Sequence, residues 1–469
     1  MLLGACRTAL GLGFRPPFAL HRHLHVASFR STRQVNLAAR SFPRLHISGL
    51  DLRRRPFSTT QDALAGTASP PPKLPPPSVG RWLMISSTLV FAVIVVGGVT
   101  RLTESGLSIT EWRPITGILP PLSTEEWKQE FDKYKATPEF KLLNHSISLN
   151  DFKSIFYMEW GHRILGRVIG LAFVGPLAYF AIRKKIPSAL SRRLAGMALL
   201  IGAQGALGWY MVKSGLEDSL MDKPGAVPRV SQYRLAAHLG TALVLYAGMF
   251  GTGLAVIKDW KYSKGAAWSG LKGSIDFRTI LNNPVFRTFK RQAWALTGLV
   301  FLTALSGAFV AGLDAGLLYN EFPLMGGRLA PPTEELFSTA YAKSEDKSDV
   351  WWRNIFENPT TTQFDHRVLA MTTYASMALL FAKTLRPAVQ AALPPAARMA
   401  TAAAFAMANV QVLLGISTLL YLVPVPLAAL HQAGSVALLS AMIHVLIVLR
   451  RPSTAAQLWR KANVLKHRG

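Results

Sequence analysis

The sequence predicts an all-α integral membrane protein with eight transmembrane helices, arranged as two tandem four-helix bundles related by internal duplication. Half of its 469 residues are hydrophobic and only 16% are charged, a balance that is not typical of soluble enzymes. A membrane-spanning helix needs about 20 predominantly apolar residues, and eight segments approach that length. They are residues 81–100, 162–183, 191–212, 232–256, 293–313, 366–386, 397–421 and 427–449.

The N-terminal segment has a separate character. Residues 1–60 contain ten arginines and one acid, Asp51, which is typical of a mitochondrial transit peptide. Arg53-Arg54-Arg55 would precede a mature end near Ser58, and a disordered basic tail is the alternative interpretation. The proline-rich residues 61–80 then form a linker. Removal of the segment would also remove Cys6, the only cysteine, and so exclude thiolate-ligated metals.

The charge distribution predicts how the chain is oriented. Basic residues concentrate around 183–193 and 258–291, whereas the loops 101–161 and 314–365 are mixed to acidic. The positive-inside rule then places both termini and the loop 258–292 in the mitochondrial matrix. It leaves an N-terminal half (81–257), a C-terminal half (293–450) and a matrix tail (451–469). The net charge of +27 therefore indicates inner-membrane lipid as a partner rather than nucleic acid.

The two halves repeat the same order of glycine, proline, glutamine and histidine residues, which predicts two copies of one four-helix unit. The matched anchors include Gly98 with Gly307, Gly106-Leu107 with Gly316-Leu317, Pro114 with Pro323, Gly117 with Gly326, Pro120-Pro121 with Pro331-Pro332, Thr124-Glu125-Glu126 with Thr333-Glu334-Glu335, Gln204-x-x-x-Gly208 with Gln411-x-x-x-Gly415, and His238 with His431.

Four histidines occupy matching places in this repeat: His162 and His238 in the first half, His366 and His431 in the second. Each is predicted to lie in the first turn or two of a membrane helix, at a similar depth near the outer leaflet. Ionisable groups inside a membrane are functional by default, and bundles place haem ligands on facing helices. The pattern predicts two pairs of axial haem-iron ligands, although any one histidine could instead be a packing residue. We predict no ligand role for the remaining histidines: His21, His23, His25, His46, His145, His444 and His467.

The residues just before each His-Arg pair differ between the halves. Glu159 precedes His162 by three residues, and Gln363 holds the matching place before His366. A carboxylate can accept a proton or hold a developing cation and an amide cannot, so the first site is predicted to be reactive and the second to store electrons. Glu159 could instead be an ordinary acid at a helix N-terminus. Arg163 and Arg367 are predicted to pair with haem propionates or nearby acids.

The long outer loop contains one further periodic pattern. Trp127, Phe131 and Tyr134 recur at helical spacing between charged residues. The stretch 125–143 is either a surface helix or a solvated loop, and the periodicity does not decide between them.

Four strings in the first half resemble the mitochondrial haem A synthase family: EWGHRILGR (159–167), VTRLTESGLSITEWRPITGILPP (99–121), GWYMVKSGL (208–216) and PRVSQYRLAAHLGTAL (228–243). The second half matches through QFDHRVLAM (363–371) and LHQAGSVALL (430–439), so the resemblance covers nearly everything after residue 80. It implies oxidation of the C8 methyl of haem O to the formyl of haem A by two hydroxylations and loss of water, for cytochrome c oxidase assembly.

The resemblance also implies roles for residues and partners. Glu159, His162 and His238 would form the substrate site for haem O, and His366 and His431 would ligate a cofactor haem b. A matrix ferredoxin system and haem O synthase would be partners, and a homo-oligomer is left open. The cysteine pair of some bacterial members is absent, so no role assigned to that pair applies here.

Three other functions compete with this interpretation. A bis-histidine electron-transfer cytochrome would carry haem b in both sites but gives no reason for Glu159 in one half only. A haem-delivery chaperone would bind haem O or haem A without changing it. A transporter would explain repeats and intramembrane polar residues, yet transporters usually place broken helices at the midplane rather than paired histidines near one surface.

Overall fold

The computed structural model describes residues 72–113, 119–217, 228–271 and 276–466, which belong to one compact unit. The predicted transit peptide with its processing site, most of the linker, and the repeat anchors Pro114 and Gly117 lie outside these residues. Within the described part the chain is all-helical, and its only β pairing is an isolated bridge between Met325 and Arg328.

Fifteen α-helices are present in the described residues. They are α1 (Pro77–Leu102), α2 (Thr124–Lys135), α3 (Pro138–Leu142), α4 (Leu149–Ile182), α5 (Ser188–Gly215), α6 (Gln232–Ser263), α7 (Phe277–Asn282), α8 (Pro284–Gly312), α9 (Thr333–Leu336), α10 (Val350–Glu357), α11 (Pro359–Thr384), α12 (Pro387–Ala392), α13 (Pro395–Leu420), α14 (Val425–Val448) and α15 (Thr454–Lys466). Short 3₁₀ turns cover Trp268–Gly270, Ala315–Leu317 and Thr339–Tyr341.

Seven of these helices are long and apolar enough to cross a membrane: α1, α4, α5, α6, α8, α13 and α14. They contain seven of the eight predicted segments. The eighth segment, 366–386, lies mainly in the 26-residue helix α11. That helix is long enough, but polar residues such as Asp365, His366 and Arg367 lower its hydropathy. The membrane crossing of α11 and the tandem duplication therefore stay predictions.

Helix α4 begins earlier than predicted. Its first residue is Leu149, because Ser148 and Asp151 form a capping box in which each side chain accepts from the other residue's backbone. The apolar segment predicted from the sequence, 162–183, corresponds only to the part of α4 that follows residue 161. His162 consequently lies almost four turns into its helix, and the prediction that it sits in the first turn or two was wrong.

The seven candidate spanning helices and α11 pack as two rings of four. Helix α1 contacts α4 and α6, and α5 contacts α4 and α6; in the same way α8 contacts α11 and α14, and α13 contacts α11 and α14. The rings meet where α6 packs on α8 and α14, and where α1 packs on α14. At this junction the Gln432 amide donates to the Ile94 carbonyl at 3.0 Å, and the Tyr246 and Ser440 hydroxyls are 2.6 Å apart.

A small aromatic cluster forms a second core beside the first ring. Trp127, Phe131 and Tyr134 of α2 pack on Phe152 and Phe156 of α4, and all five side chains are buried. Of the two alternatives left open for residues 125–143, a helix is present over Thr124–Lys135, and its apolar face packs on the extension of α4. Helix α3 packs on α2, and its Phe140 contacts this cluster.

Candidate functional site

A single cavity of about 1740 Å³ runs between the two rings. Its walls include all four predicted ligand histidines, His162 on α4, His238 on α6, His366 on α11 and His431 on α14. Pockets for one small molecule usually occupy about 300–1,000 Å³, so this cavity has room for more than one. His162 lies close enough to His238 to interact electrostatically, and His366 does so with His431.

Each of the four imidazole rings lies against a glycine of a neighbouring helix. A Cβ atom built on that glycine would come within van der Waals distance of the ring or closer. The separations are 3.0 Å from Gly97 to His162 Nε2, 3.7 Å from Gly208 to His238 Cε1, 3.4 Å from Gly307 to His366 Cε1 and 2.8 Å from Gly415 to His431 Cε1. Because glycine has no side chain, the neighbouring helix leaves room for each imidazole ring. Gly97 and Gly307 therefore have equivalent positions, since each faces a histidine ring. The sequence comparison had paired Gly307 with Gly98, but Gly98 faces the side chain of Gln432.

The predicted Gln-x-x-x-Gly anchors also contact the histidines. Gln204 donates to the His238 carbonyl at 3.3 Å, and Gln411 donates to the His431 carbonyl at 2.9 Å. A glutamine on α5 or α13 therefore holds the backbone of the adjacent histidine-bearing helix, while the glycine one turn later faces the ring.

The second pair of histidines has ring contacts that are not found for the first pair within the described ranges. Ser306 Oγ lies 2.7 Å from His366 Nδ1, and the Gln411 amide nitrogen lies 3.1 Å from His431 Nδ1. His238 Nδ1 is buried with no hydrogen-bond partner among the described residues. Val96, with no hydroxyl, precedes Gly97 where Ser306 precedes Gly307. Sequence reasoning missed Ser306. The only feature of the sequence that could have identified it is its position directly before Gly307, one of the repeat anchors.

Glu159 is buried in a fully bonded clamp. Its Oε2 accepts from Ser108 Oγ at 2.7 Å and the Ile109 amide at 2.8 Å, and its Oε1 accepts from Arg163 Nε at 3.0 Å and Nη2 at 2.6 Å. Arg163 also donates to the carbonyls of Ile109 and Glu111. The alternative of an ordinary N-terminal helix acid does not hold, because α4 begins at Leu149. The clamp attaches the loop after α1 to the helix that carries His162.

Gln363 and Arg367 build the corresponding clamp in the second half without an ion pair. The Gln363 amide donates to the Ala315 carbonyl at 2.9 Å, and Arg367 donates to the carbonyls of Tyr319 at 2.7 Å and Leu324 at 3.0 Å. The two arginines thus hold the loops after α1 and α8. Arg163 was predicted to pair with a haem propionate or a nearby acid, and in the structure it pairs with the acid Glu159.

Charged residues link the halves at the outer end of the cavity. Asp314, just after α8, accepts from Arg101 of α1 at 2.8 Å and from Arg229 before α6 at 3.0 Å. Asp314 has a positive φ of 52°, and Glu104 has φ 51° at the matching place after α1. Sequence reasoning missed this cluster, because its three members come from distant segments.

The residues fit haem better than a bare metal ion. No group of three or more histidine, cysteine or acidic side chains that could hold a metal ion occurs within the described ranges. Two imidazoles from facing helices, each seated on a glycine in an apolar cavity, are a donor set for the two axial positions of a haem. His162 with His238 and His366 with His431 could each hold one such group.

The chain matches the family described as cytochrome oxidase assembly protein, COX15-CtaA, over residues 80–443. It is 46% identical to haem A synthase COX15 of Saccharomyces cerevisiae over 375 residues, which cover 80% of this chain and 76% of the yeast protein. It is 43% identical to the Homo sapiens haem A synthase COX15 over 421 residues, 88% and 94% of the two chains. A haem A synthase–mitochondrial ferredoxin fusion protein of Schizosaccharomyces pombe is 47% identical over 374 residues, 79% of this chain and 60% of the fusion.

Proposed function

The chain belongs to the cytochrome oxidase assembly protein family, and on that premise we propose that it is a haem A synthase. It would oxidise the C8 methyl of haem O to the formyl group of haem A for assembly of cytochrome c oxidase. The observation that carries the proposal is the pairing of four glycine-seated histidines across one cavity. A haem-acting enzyme needs both a substrate site and an electron-storing site, and two pairs supply them.

The ring contacts favour one assignment of the two pairs. Histidine ligands of permanent metal groups almost always bind a second partner through the other ring nitrogen, and loss of that partner costs about 10–100-fold in affinity. His366 has such a contact through Ser306, whereas His238 Nδ1 is buried with no partner among the described residues. We therefore assign His366 and His431 to a resident haem b, and His162 and His238 to haem O, which must enter and leave.

Haem b, when bound, would supply electrons one at a time. The chain's own contribution is to hold the substrate by His162 and His238, to exclude water with the apolar walls, and to keep the loop after α1 closed over the site. Two successive hydroxylations of the methyl yield a geminal diol, and loss of water from the diol yields the formyl group.

Glu159 supports this chemistry through its charge. A carboxylate offers about four acceptor positions, and the contacts to Ser108, Ile109 and Arg163 occupy four. With its acceptor positions occupied, Glu159 is poorly placed to accept a proton. These contacts instead favour a role as a fixed negative charge that stabilises a developing cation beside His162. Gln363 gives the second half the same loop attachment without the charge.

We further propose that the two rings of helices are copies of one unit, with α11 as the eighth membrane helix. The membrane would be the mitochondrial inner membrane with both termini in the matrix, because the basic loops lie on the side of α15. The fusion of a relative to mitochondrial ferredoxin supports a ferredoxin as electron donor. Haem O synthase as supplier of the substrate rests on the chemistry of the reaction alone.

The test is extraction of haems from the purified chain and their identification by chromatography and mass spectrometry. Haem b together with haem O, haem A or a hydroxylated intermediate is the expected result. Haem b alone at two per chain would indicate an electron-transfer cytochrome. Bound haem O that is never converted under reducing, aerobic conditions would indicate a chaperone.

A further inference from the structure

A buried carboxyl outside the clamp faces the same cavity. Glu139 lies on α3 in the outer loop, only 3% exposed, and lines the cavity in the first half. Its Oε2 atom is buried and has no hydrogen-bond partner among the described residues. Buried polar atoms are almost always satisfied, so an unpaired carboxyl oxygen facing a chamber calls for an explanation.

The surroundings of Glu139 keep it uncharged near neutral pH. Burial raises the pKa of Glu139, the hydroxyl of Tyr134 opposes this effect, and the carboxylates Glu159 and Glu104 add to it, so that the net pKa is about 8. No cation faces Glu139 among the groups that act on its pKa. Tyr134 is itself held by the Asn144 amide, which donates to its hydroxyl at 2.8 Å. Glu139 can therefore carry a proton that most carboxyls lose at pH 7.

A second acidic side chain of the first half at this wall is Glu104. This residue is exposed at the end of α1, lines the cavity, and is one of the two carboxylates whose charge reaches Glu139. Its counterpart Asp314 is bound by two arginines, whereas Glu104 forms no ion pair among the described residues. The wall of the cavity thus carries one solvent-exposed carboxyl, Glu104, and one buried carboxyl, Glu139.

Acidic groups are distributed unequally between the two halves of the cavity wall. Five of them come from the first half, Glu104, Glu111, Glu139, Glu159 and Glu217, and Asp314 is the only one from the second half among the described lining residues. Glu159 is bonded to Arg163, and Glu111 pairs with Lys133 and Arg113. Glu139 alone combines burial with an unpaired carboxyl oxygen at the wall.

We propose that Glu139 is the proton-exchange group of the substrate chamber, passing protons between the surface at Glu104 and the cavity beside His162. The inference rests on the proposed function. Each hydroxylation by dioxygen breaks one C–H bond, of the methyl group in the first step and of the resulting hydroxymethyl group in the second, forms one C–O bond, and releases the second oxygen atom as water. It consumes two electrons from a one-electron carrier and two protons. A protonated carboxyl at the wall supplies such protons while the apolar chamber excludes bulk water.

The experiment compares the full chain with Glu139→Gln, Glu139→Asp and a matched control, Glu125→Gln. Glu125 lies in the same outer region, and its side chain is 73% exposed. Haem content, the rate of formyl formation from haem O with an added one-electron donor in air, and the pH profile of that rate are measured. Infrared difference spectra of the purified protein on either side of pH 8 report the protonated-carboxyl band without any turnover.

We expect Glu139→Gln to retain its haems, to lose the carboxyl band, and to form the formyl group at least about tenfold more slowly, in line with general acid–base contributions. The rate of the unsubstituted chain should fall above about pH 8, where Glu139 ionises, and the Gln variant should lack this limb. Glu139→Asp should recover most of the rate, and Glu125→Gln should behave as the unsubstituted chain.

An unchanged rate and pH profile in Glu139→Gln would overturn the inference, and so would a carboxyl band that survives the substitution. A Gln variant that loses its haems along with its rate, with no recovery in the Asp variant, would assign Glu139 a structural role. Absence of formyl haem from both the unsubstituted chain and Glu125→Gln would instead overturn the proposed function.

Discussion

Ser306 and His366 form a hydrogen bond whose direction is determined by a third residue. Ser306 Oγ donates its proton to the Thr303 carbonyl at 2.8 Å, so the contact at 2.7 Å to the ring is donated by His366 Nδ1–H. The ring therefore presents the lone pair of Nε2, which is the atom that would bind iron in the proposed haem b site. Val96 holds the corresponding place in the first half, and it offers no such bond.

Ser306→Ala should weaken retention of haem b by about 10–100-fold, because the ring loses the partner that orients it. The substrate-side haem should be unaffected. Haem titration of the purified protein, followed by the low-spin absorption of the bis-histidine form, measures the change. Val96→Ala is the matched control and should leave haem b in place; equal loss in both variants would contradict the assignment.

His366→Ala should abolish the low-spin haem b signal while some substrate haem remains, because each pair of ligands holds its own group. Electron paramagnetic resonance and haem extraction measure both sites. His444→Ala is the control, since His444 lies on α14 but does not line the cavity. Loss of every haem from His366→Ala, at normal expression, would show that the two sites are not separable.

Single methyl groups on two glycines should disable the two sites separately. Gly97→Ala places a Cβ 3.0 Å from His162 Nε2, and Gly415→Ala places one 2.8 Å from His431 Cε1. We expect the first variant to lose substrate haem and the second to lose haem b. Gly202→Ala on α5 has open space around the new methyl and should be stabilised by about 0.5–1 kcal/mol, as expected in a helix. If both variants retained haem fully in both sites, the contacts of the histidine rings with Gly97 and Gly415 would not be needed for haem binding, and the prediction would be wrong.

Glu159→Gln should retain both haems and reduce formyl formation at least tenfold, because it removes the charge but imitates the Gln363 clamp. Measured kcat should fall more than substrate affinity. Glu159→Ala should also destabilise the fold by about 3–5 kcal/mol, since it leaves the mostly buried Arg163 without its partner. Denaturant unfolding in detergent measures that change. A normal haem A yield from Glu159→Gln would remove the argument from the Glu/Gln difference.

Phe152→Ala should loosen the outer cluster. Phe152 is fully buried between Trp127, Phe131, Tyr134 and Phe156, and removal of a buried phenylalanine side chain costs about 3–5 kcal/mol. Faster proteolytic cleavage between α2 and α4 is the measurement. Phe337, 52% exposed, supplies the control, and Phe337→Ala should be cleaved at the normal rate. Equal protection of both variants would argue against a folded outer core.

Much of the site could be predicted because spanning helices leave a strong local signal. Apolar segments located seven membrane helices, and ionisable residues in such segments identified the four histidines. The Gln-x-x-x-Gly anchors were also visible, because the spacing of four residues puts both side chains on one helical face. Their contact with the histidine of the next helix was not visible, since it depends on packing.

Other residues escaped sequence reasoning for physical reasons. Glu139 lies in the outer loop, where local sequence does not report burial. The pairing of Glu159 with Arg163 is compatible with their i, i+4 spacing, yet their loop partners Ser108 and Ile109 come from some 50 residues away. The contact of Gly97, rather than Gly98, with His162 depends on the rotation of α1 about its axis.

By itself the sequence determined the helical class, most membrane segments, the family and the identity of the four histidines, because these depend on local composition and on residue types at regular spacing. The tertiary structure alone decided which glycine faces each ring, which rings have a hydrogen-bond partner, and which carboxyl at the cavity wall is buried and unpaired. Those properties arise from the close approach of helices distant in sequence, where a shift of one residue changes the face that a helix presents.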